Sequence, residues 1–96
     1  MSNSAIVNMP RRFDYSSSTD FNESFSRALN QQAGGEKVVT LDCSQMDYID
    51  SAGIGLLVMS HKKAQTTHAK MAIVNLKPSA REVLLLANLQ KIIEIK

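Results

Sequence analysis

A hydroxyl next to a carboxylate, Ser51 after Asp50, sits in the stretch Asp50-Ser51-Ala52-Gly53-Ile54-Gly55. The stretch joins an apolar, strand-like run, Val38-Val39-Thr40-Leu41-Asp42-Cys43, to a helical pattern that begins at Ile54. A serine hydroxyl is thereby expected at a strand-to-helix junction, near the N-terminus of a helix. The helix dipole and the unpaired N–H groups there tolerate added negative charge. Such a position suits a modifiable switch and suits a lone catalyst poorly. Ser51 could equally be a plain N-cap, worth about 1 kcal/mol to the helix, and Asp50 competes with it for that role. Gly53 and Gly55 cost a helix roughly 1 kcal/mol each against alanine. Close approach of a partner or of a neighbouring element is the expected compensation.

Other candidate chemistry is weaker. Ser16-Ser17-Ser18-Thr19 is a rival set of hydroxyls, read as capping and loop-forming residues. His61 and His68 have no carboxylate or cysteine at ligand spacing, so no metal site is expected. Ser51, a histidine and Asp47 could be drawn as a hydrolase triad, but the serine lacks the Gly-x-Ser-x-Gly elbow. No Gly-Lys-Ser/Thr follows the glycines, which excludes a phosphate-binding P-loop. No catalytic residue and no cofactor is assigned.

The 96 residues point to one domain of modest size. Such a chain buries roughly 60–65 % of its unfolded surface, too little for a deep, enclosed active site. The 11 basic and 9 acidic residues leave a net charge of +2. That balance, with Arg11-Arg12, Lys62-Lys63 and Lys96 far apart in sequence, argues against nucleic-acid binding. The single cysteine, Cys43, lies in an apolar run and is read as a buried core thiol. The start, Met1-Ser2-Asn3-Ser4, has no basic region before an apolar stretch, so no signal peptide is expected. The longest aliphatic run, Val83 to Ala87, is far too short for a bilayer. A cytoplasmic protein, with no membrane insertion, is the expectation.

The elements around the junction follow from periodicity. Ala5-Ile6-Val7 reads as a short strand, and Arg11-Arg12-Phe13-Asp14-Tyr15 as a second after Pro10. Ser16-Ser17-Ser18-Thr19-Asp20 offers several N-cap choices, including Asp20 with Glu23 at capping-box spacing. Phe21, Phe25, Ala28 and Leu29 then fall on one helical face, which Gly34-Gly35 ends. Val38–Cys43 suits a covered central strand. Ile54, Leu57, Val58, His61 and Ala64 form the inward face of the next helix, with Lys62, Lys63 and Gln65 outward. Met59 lies off that inward face and is a candidate exposed apolar contact. Met71-Ala72-Ile73-Val74 is a buried strand. Pro78 starts a short helix with Val83, Leu84 and Ala87 inward, Asn88 supplies a left-handed cap, and Ile92–Ile95 is a last strand. Strand–helix–strand–helix–strand in the second half favours parallel pairing. The first-half strands could pair antiparallel. The expected fold is α/β, a small mixed sheet of four to five strands packed with three to four helices.

The stretch Val38–Leu57 carries more than periodicity. An apolar strand, Asp42, polar residues, the pair Tyr48-Ile49, then Asp50-Ser51-Ala52-Gly53-Ile54-Gly55 closely resembles the signature of STAS domains. The likeness is greatest to the stand-alone bacterial anti-sigma-factor antagonists. It continues less strictly through Ala72-Ile73-Val74-Asn75, Pro78, Val83-Leu84 and Leu89 to Ile93. Before residue 36 it is mainly one of layout: Arg12-Phe13-Asp14-Tyr15 stands where many relatives have Gly-x-Leu-Asp. Ala52 replaces a second serine common in the motif, leaving Ser51 as the single motif hydroxyl.

The resemblance implies a partner switch. The unphosphorylated antagonist binds an anti-sigma factor or similar regulator with serine kinase activity. Phosphorylation of the motif serine, Ser51, releases it, and a separate serine phosphatase restores it. The chain would be a substrate, not an enzyme, and a monomer. The implied contact surface is Asp50, Ser51, Ala52, Gly53, Ile54, Gly55, Met59 and Tyr48, with the loop Tyr15–Ser18 nearby. Two other readings stay open: a STAS scaffold in a non-transcriptional regulatory complex, and a STAS domain that senses a small ligand.

Overall fold

A computed structural model describes residues 4–31 and 37–96. Strand β1, Ser4–Asn8, alternates between buried Ala5 and Val7 and exposed Ile6 and Asn8, the period-2 pattern of a sheet with one covered face. It is followed by a two-residue strand β2, Arg12–Phe13, a 3-10 turn, Tyr15–Ser17, and helix α1, Ser18–Asn30. Strands β3, Lys37–Asp42, and β4, Tyr48–Ile49, lead into helix α2, Ser51–Thr66. Strand β5, Ala69–Val74, helix α3, Pro78–Leu86, a 3-10 turn, Leu89–Lys91, and strand β6, Glu94–Ile95, complete the chain.

The main sheet has the order β1-β3-β5-β6, and β2 and β4 form a separate two-stranded sheet. All four pairings are parallel. The antiparallel pairing expected in the first half is therefore corrected. The reason is topological: α1 lies between β1 and β3, α2 between β3 and β5, and α3 between β5 and β6. A helical crossover returns the chain to the end from which it started, so each new strand runs the same way. The α/β class expected from the sequence holds.

Helix α1 buries Phe21, Phe25, Ala28 and Leu29, the face read from the sequence. Phe21 meets Phe13 edge-on at 5.0 Å and Phe25 at 5.8 Å between ring centroids, within the favourable range for aromatic pairs. Its start falls within the expected Ser16–Asp20 stretch, at Ser17 and not at Asp20. Asp20 lies in the first turn of α1, and no side chain caps that helix at Ser17. The capping box belongs to Asp14, one turn earlier, on the 3-10 turn. Asp14 reaches both Ser16 N (3.0 Å) and Ser16 Oγ (2.5 Å), whereas Asp20 already lies inside α1. The expected helix stop at Gly34-Gly35 lies outside the described residues.

Helix α2 is rotated from its expected register. Gly53, Leu57, Ser60 and Ala64 are buried, while Ile54, Val58 and His61 are half-buried at the flanks. Three of the four inward residues are small, so the helix axis can lie close to the sheet. Ser60 is satisfied in place: its hydroxyl donates to Leu57 O at 2.8 Å and lies 3.6 Å from Met71 Sδ. A buried hydroxyl without such partners would cost a few kcal/mol.

Helix α3 begins at Pro78 as expected and buries Ala80 and Leu84, with Val83 half-buried. Ala87 was expected inward and is exposed. The helix has already ended there: Asn88 takes a left-handed conformation, φ 61°, and the chain turns so that Leu89 and Ile93 enter the core instead. The last strand is accordingly shorter than Ile92–Ile95. His68 and Asn75, at φ 59° and 62°, bracket β5 in the same conformation.

Cys43 sits just beyond β3 and is 2 % exposed. Burial, and secondarily Asp42, pushes its thiol up to about 12. At pH 8 the thiolate fraction is then about 10⁻⁴. Cys43 should stay unreactive toward a disulfide reagent in the folded protein at pH 8 and react at once in denaturant. Prompt reaction under native conditions would contradict the packed core.

Candidate functional site

The site is built on the join between β4 and α2. Asp50 is the N-cap, in extended conformation, and its Oδ1 accepts the Gly53 N–H at 3.1 Å. Its main-chain oxygen accepts Ile54 N–H at 3.0 Å. Ser51 is therefore the first helical residue and not the cap, and its side chain is exposed. The alternative in which Ser51 caps the helix is corrected, for a physical reason: the carboxylate of Asp50 reaches the free N–H first, one residue earlier. The hydroxyl of Ser51 is left at the rim of the helix N-terminus, where added negative charge meets the dipole favourably.

The two glycines do different work. A Cβ on Gly53 would collide with the main-chain oxygen of Phe13, and would stand 2.9 Å from both Phe13 Cδ2 and Ile49 Cγ1. Gly53 thus lets β2 pack directly on the first turn of α2. The Cβ of residue 55 would meet nothing within 4 Å, and Gly55 is exposed. Among the described residues no element accounts for the second glycine.

Ser51, Gly55, Met59 and Lys62 line the outer stripe of α2, and Met59 is 64 % exposed. Ala52 and Ile54 are half-buried beside them, Ile54 against the core. Tyr48 extends the surface, its hydroxyl 3.4 Å from Asp50 Oδ2. The 3-10 turn that carries Tyr15, 80 % exposed, packs against α2 and completes the patch. The structure thus brings Tyr48, Asp50, Ser51, Ala52, Gly55 and Met59 to one rim. Gly53 is behind it, buried.

Sequence reasoning gave Arg11 and Arg12 no part in the site. Arg12 instead stacks over the Tyr48 ring, 4.3 Å from its centroid, and bonds Asp14 Oδ2 at 2.6 Å. Arg11 lies 3.3 Å from Asp47, which Lys77 also pairs. The parallel register Arg12↔Tyr48 produces the stack. Only the pairing of two dipeptide strands far apart in sequence creates it, so no local pattern announces it.

The hydrogen bond from the Ser16 hydroxyl, then that from Arg12, holds the Asp14 carboxyl below the usual carboxylate range. Lys77, then Arg11, does the same for Asp47. A carboxylate whose folded value is depressed adds stability above its ordinary value of 3.8 and loses it as pH falls through the folded value. Asp14→Asn should therefore unfold at lower urea than the parent at neutral pH, with the gap closing below about pH 4. Urea midpoints from pH 7 to pH 2 measure this; a gap independent of pH would remove Asp14 as a charged cap.

Among the described residues no three His, Cys, Asp or Glu side chains converge to hold a metal ion. No helix among them is long and apolar enough to cross a membrane.

A parallel sheet with crossover helices carries at its rim a helix start capped by Asp50, with Ser51 exposed beside the cap. The sequence matches the STAS domain over residues 2–96. The chain belongs to the STAS domain family. It is 24 % identical to a STAS-domain containing protein of Pseudomonas aeruginosa, over 93 % of this chain and 84 % of that one. Among solved structures, TM1081 of Thermotoga maritima, provisionally described as an anti-sigma factor antagonist, superposes with a TM-score of 0.79. It is 27 % identical, over 99 % of this chain and 80 % of TM1081. The fold is also that of the Bacillus anti-sigma factor antagonist SpoIIAA, solved in unphosphorylated and phosphorylated forms, with TM-scores of 0.68 and 0.67 at 16 % identity. The superpositions span 98 % of this chain and 79 % and 83 % of SpoIIAA.

Proposed function

We propose that this protein is an anti-sigma factor antagonist that works as a partner switch in the cytoplasm. In its unmodified form it binds, as a monomer, an anti-sigma factor or similar regulator that is also a serine kinase. That kinase transfers a phosphoryl group to Ser51 Oγ and so ends the complex, and a serine phosphatase regenerates the binding form. The protein itself is a substrate with no catalytic residue.

The observation that carries this reading is the division of labour at the start of α2. Asp50 performs the structural task of capping, while Ser51 stands exposed at N1 with nothing structural assigned to it. A phosphate there carries about −1.5 to −2 charge at neutral pH. The helix terminus accepts it, but a partner lying over Ser51, Gly55, Met59 and Tyr48 cannot stay in contact with it. SpoIIAA, which shares the fold, exists in both phosphorylation states, which supports control by phosphorylation here.

The test is intact-mass analysis with site localisation on protein from its native cells, beside affinity capture with Ser51→Ala. A phosphate mass gain at Ser51 and capture of a sigma-regulating kinase are expected. Unmodified Ser51 with capture of a non-transcriptional assembly would replace the switch by a scaffold.

A further inference from the structure

Arg12 is at the edge of this patch but has no part in the reading above. Its strand is packed on the first turn of α2 so closely that residue 53 has no room for a Cβ against Phe13. Its guanidinium lies over Tyr48, whose hydroxyl reaches Asp50, the residue before Ser51. The only acid it bonds among the described residues is Asp14, at 2.6 Å. Asp14 in turn caps the Tyr15–Ser17 turn through Ser16 N and Ser16 Oγ. One exposed cation is therefore bonded to a carboxylate that organises a turn and stacked on a ring whose hydroxyl reaches the residue before Ser51.

We propose that Arg12 is the built-in counter-cation for a phosphate on Ser51, and that phosphorylation draws its guanidinium from Asp14 and loosens the Tyr15–Ser17 turn. The inference rests on Ser51 being the modified residue. A phosphate dianion offers three acceptor oxygens to the planar guanidinium fork, against a single carboxylate oxygen of Asp14. The side chain is two-thirds exposed and rotates without crossing the core. Tyr48 is a common platform: a guanidinium that slides along the ring face toward Asp50 keeps its cation–π contact while changing partner. Loss of Arg12 leaves Asp14 with Ser16 as its remaining donor. The exposed Tyr15 then changes position with the phosphorylation state, so a phosphatase or kinase partner reads two features in place of one.

The test uses the full 96-residue chain with phosphoserine genetically encoded at position 51, so that no kinase is needed. In a ³¹P NMR titration the phosphate should have its second midpoint about 0.5 pH lower in the parent than in Arg12→Gln. Arg11→Gln removes the same charge from the residue just before Arg12, which pairs with Asp47, and should leave the midpoint where it was. Equal effects of the two substitutions, or none from Arg12→Gln, overturn the clamp. A second measurement needs no substitution at Arg12. The Arg12 side-chain N–H resonance and the Ser16 amide should both move between the Ser51 and phosphoserine proteins, and stationary resonances also overturn it. Encoded phosphate isolates this question from the switch itself: native protein unmodified at Ser51 would sink the switch while the titration still reports on Arg12.

Discussion

Ser51→Asp should leave folding stability within about 1 kcal/mol of the parent and weaken partner binding by 100-fold or more. The first half follows from position. A carboxylate at N1 faces the positive end of the α2 dipole, a gain of about 0.3–1 kcal/mol at a surface site. The neighbouring Asp50 carboxylate offsets part of that gain by repulsion. Asp50 retains the cap bond to Gly53 N–H, so no structural bond is removed. The second half follows from desolvation. Ser51 is on the exposed stripe with Gly55 and Met59, and a partner covering the stripe would bury a charge it was not built to pair. An uncompensated charge at an interface costs about 2–5 kcal/mol, and 100-fold is about 2.7 kcal/mol. Urea unfolding together with calorimetric titration of the captured partner gives both numbers. Gross unfolding of Ser51→Asp would show that the serine is structural. Unchanged binding would place the partner elsewhere.

The two glycines should respond in opposite directions to the same substitution. Gly53→Ala drives a methyl into the Phe13 main-chain oxygen and against Ile49. Overpacking of this kind costs about 1–3 kcal/mol, and the obstacle here includes backbone, which cannot rotate away. The improved helix propensity recovers only about 1 kcal/mol. Gly55→Ala meets nothing within 4 Å and should stabilise the fold by up to about 1 kcal/mol. It should nevertheless reduce partner affinity, because the one advantage of a glycine there is close approach from outside. Denaturation midpoints and partner titrations on the pair settle the matter. A Gly53→Ala protein as stable as the parent would show that β2 can retreat from α2. A stabilised Gly55→Ala protein with parental affinity would take that residue out of the interface.

Much of this architecture was legible because it is written locally. The Phe21, Phe25, Ala28, Leu29 face of α1, Pro78 at the start of α3 and the left-handed Asn88 each follow from one segment's own pattern. The Asp50–Gly55 junction was legible for the same reason, down to an exposed serine at a helix start. What failed required a second segment. The parallel run of β1 depends on α1 returning the chain, and Arg12 over Tyr48 depends on strands whose partners lie 36 positions apart. The inward face of α2 was read only in part, with Leu57 and Ala64 buried as expected, for another reason. Gly53 and Ser60 contribute no hydrophobicity, so a pattern based on apolar residues chose the bulkier Ile54 and Val58, which the structure places at the flanks. Among the several N-cap choices the Ser16–Asp20 stretch offered, the spacing of Asp20 and Glu23 did not decide: α1 starts after Ser17 and the side-chain cap belongs to Asp14, on the 3-10 turn before it.

Helix α2 is held by Gly53, Leu57, Ser60 and Ala64 and shows Ser51, Gly55, Met59 and Lys62. The two sets share no position. A duplicated gene could therefore rewrite the outward set, and with it the choice of partner, while every residue that anchors the helix stayed as it was. Cross-talk between parallel pathways in one cell would be avoided by changes at Gly55, Met59 or Lys62 alone. On the switch proposed above, the serine and its aspartate would remain common to all copies, so that insulated circuits could still run on one chemistry.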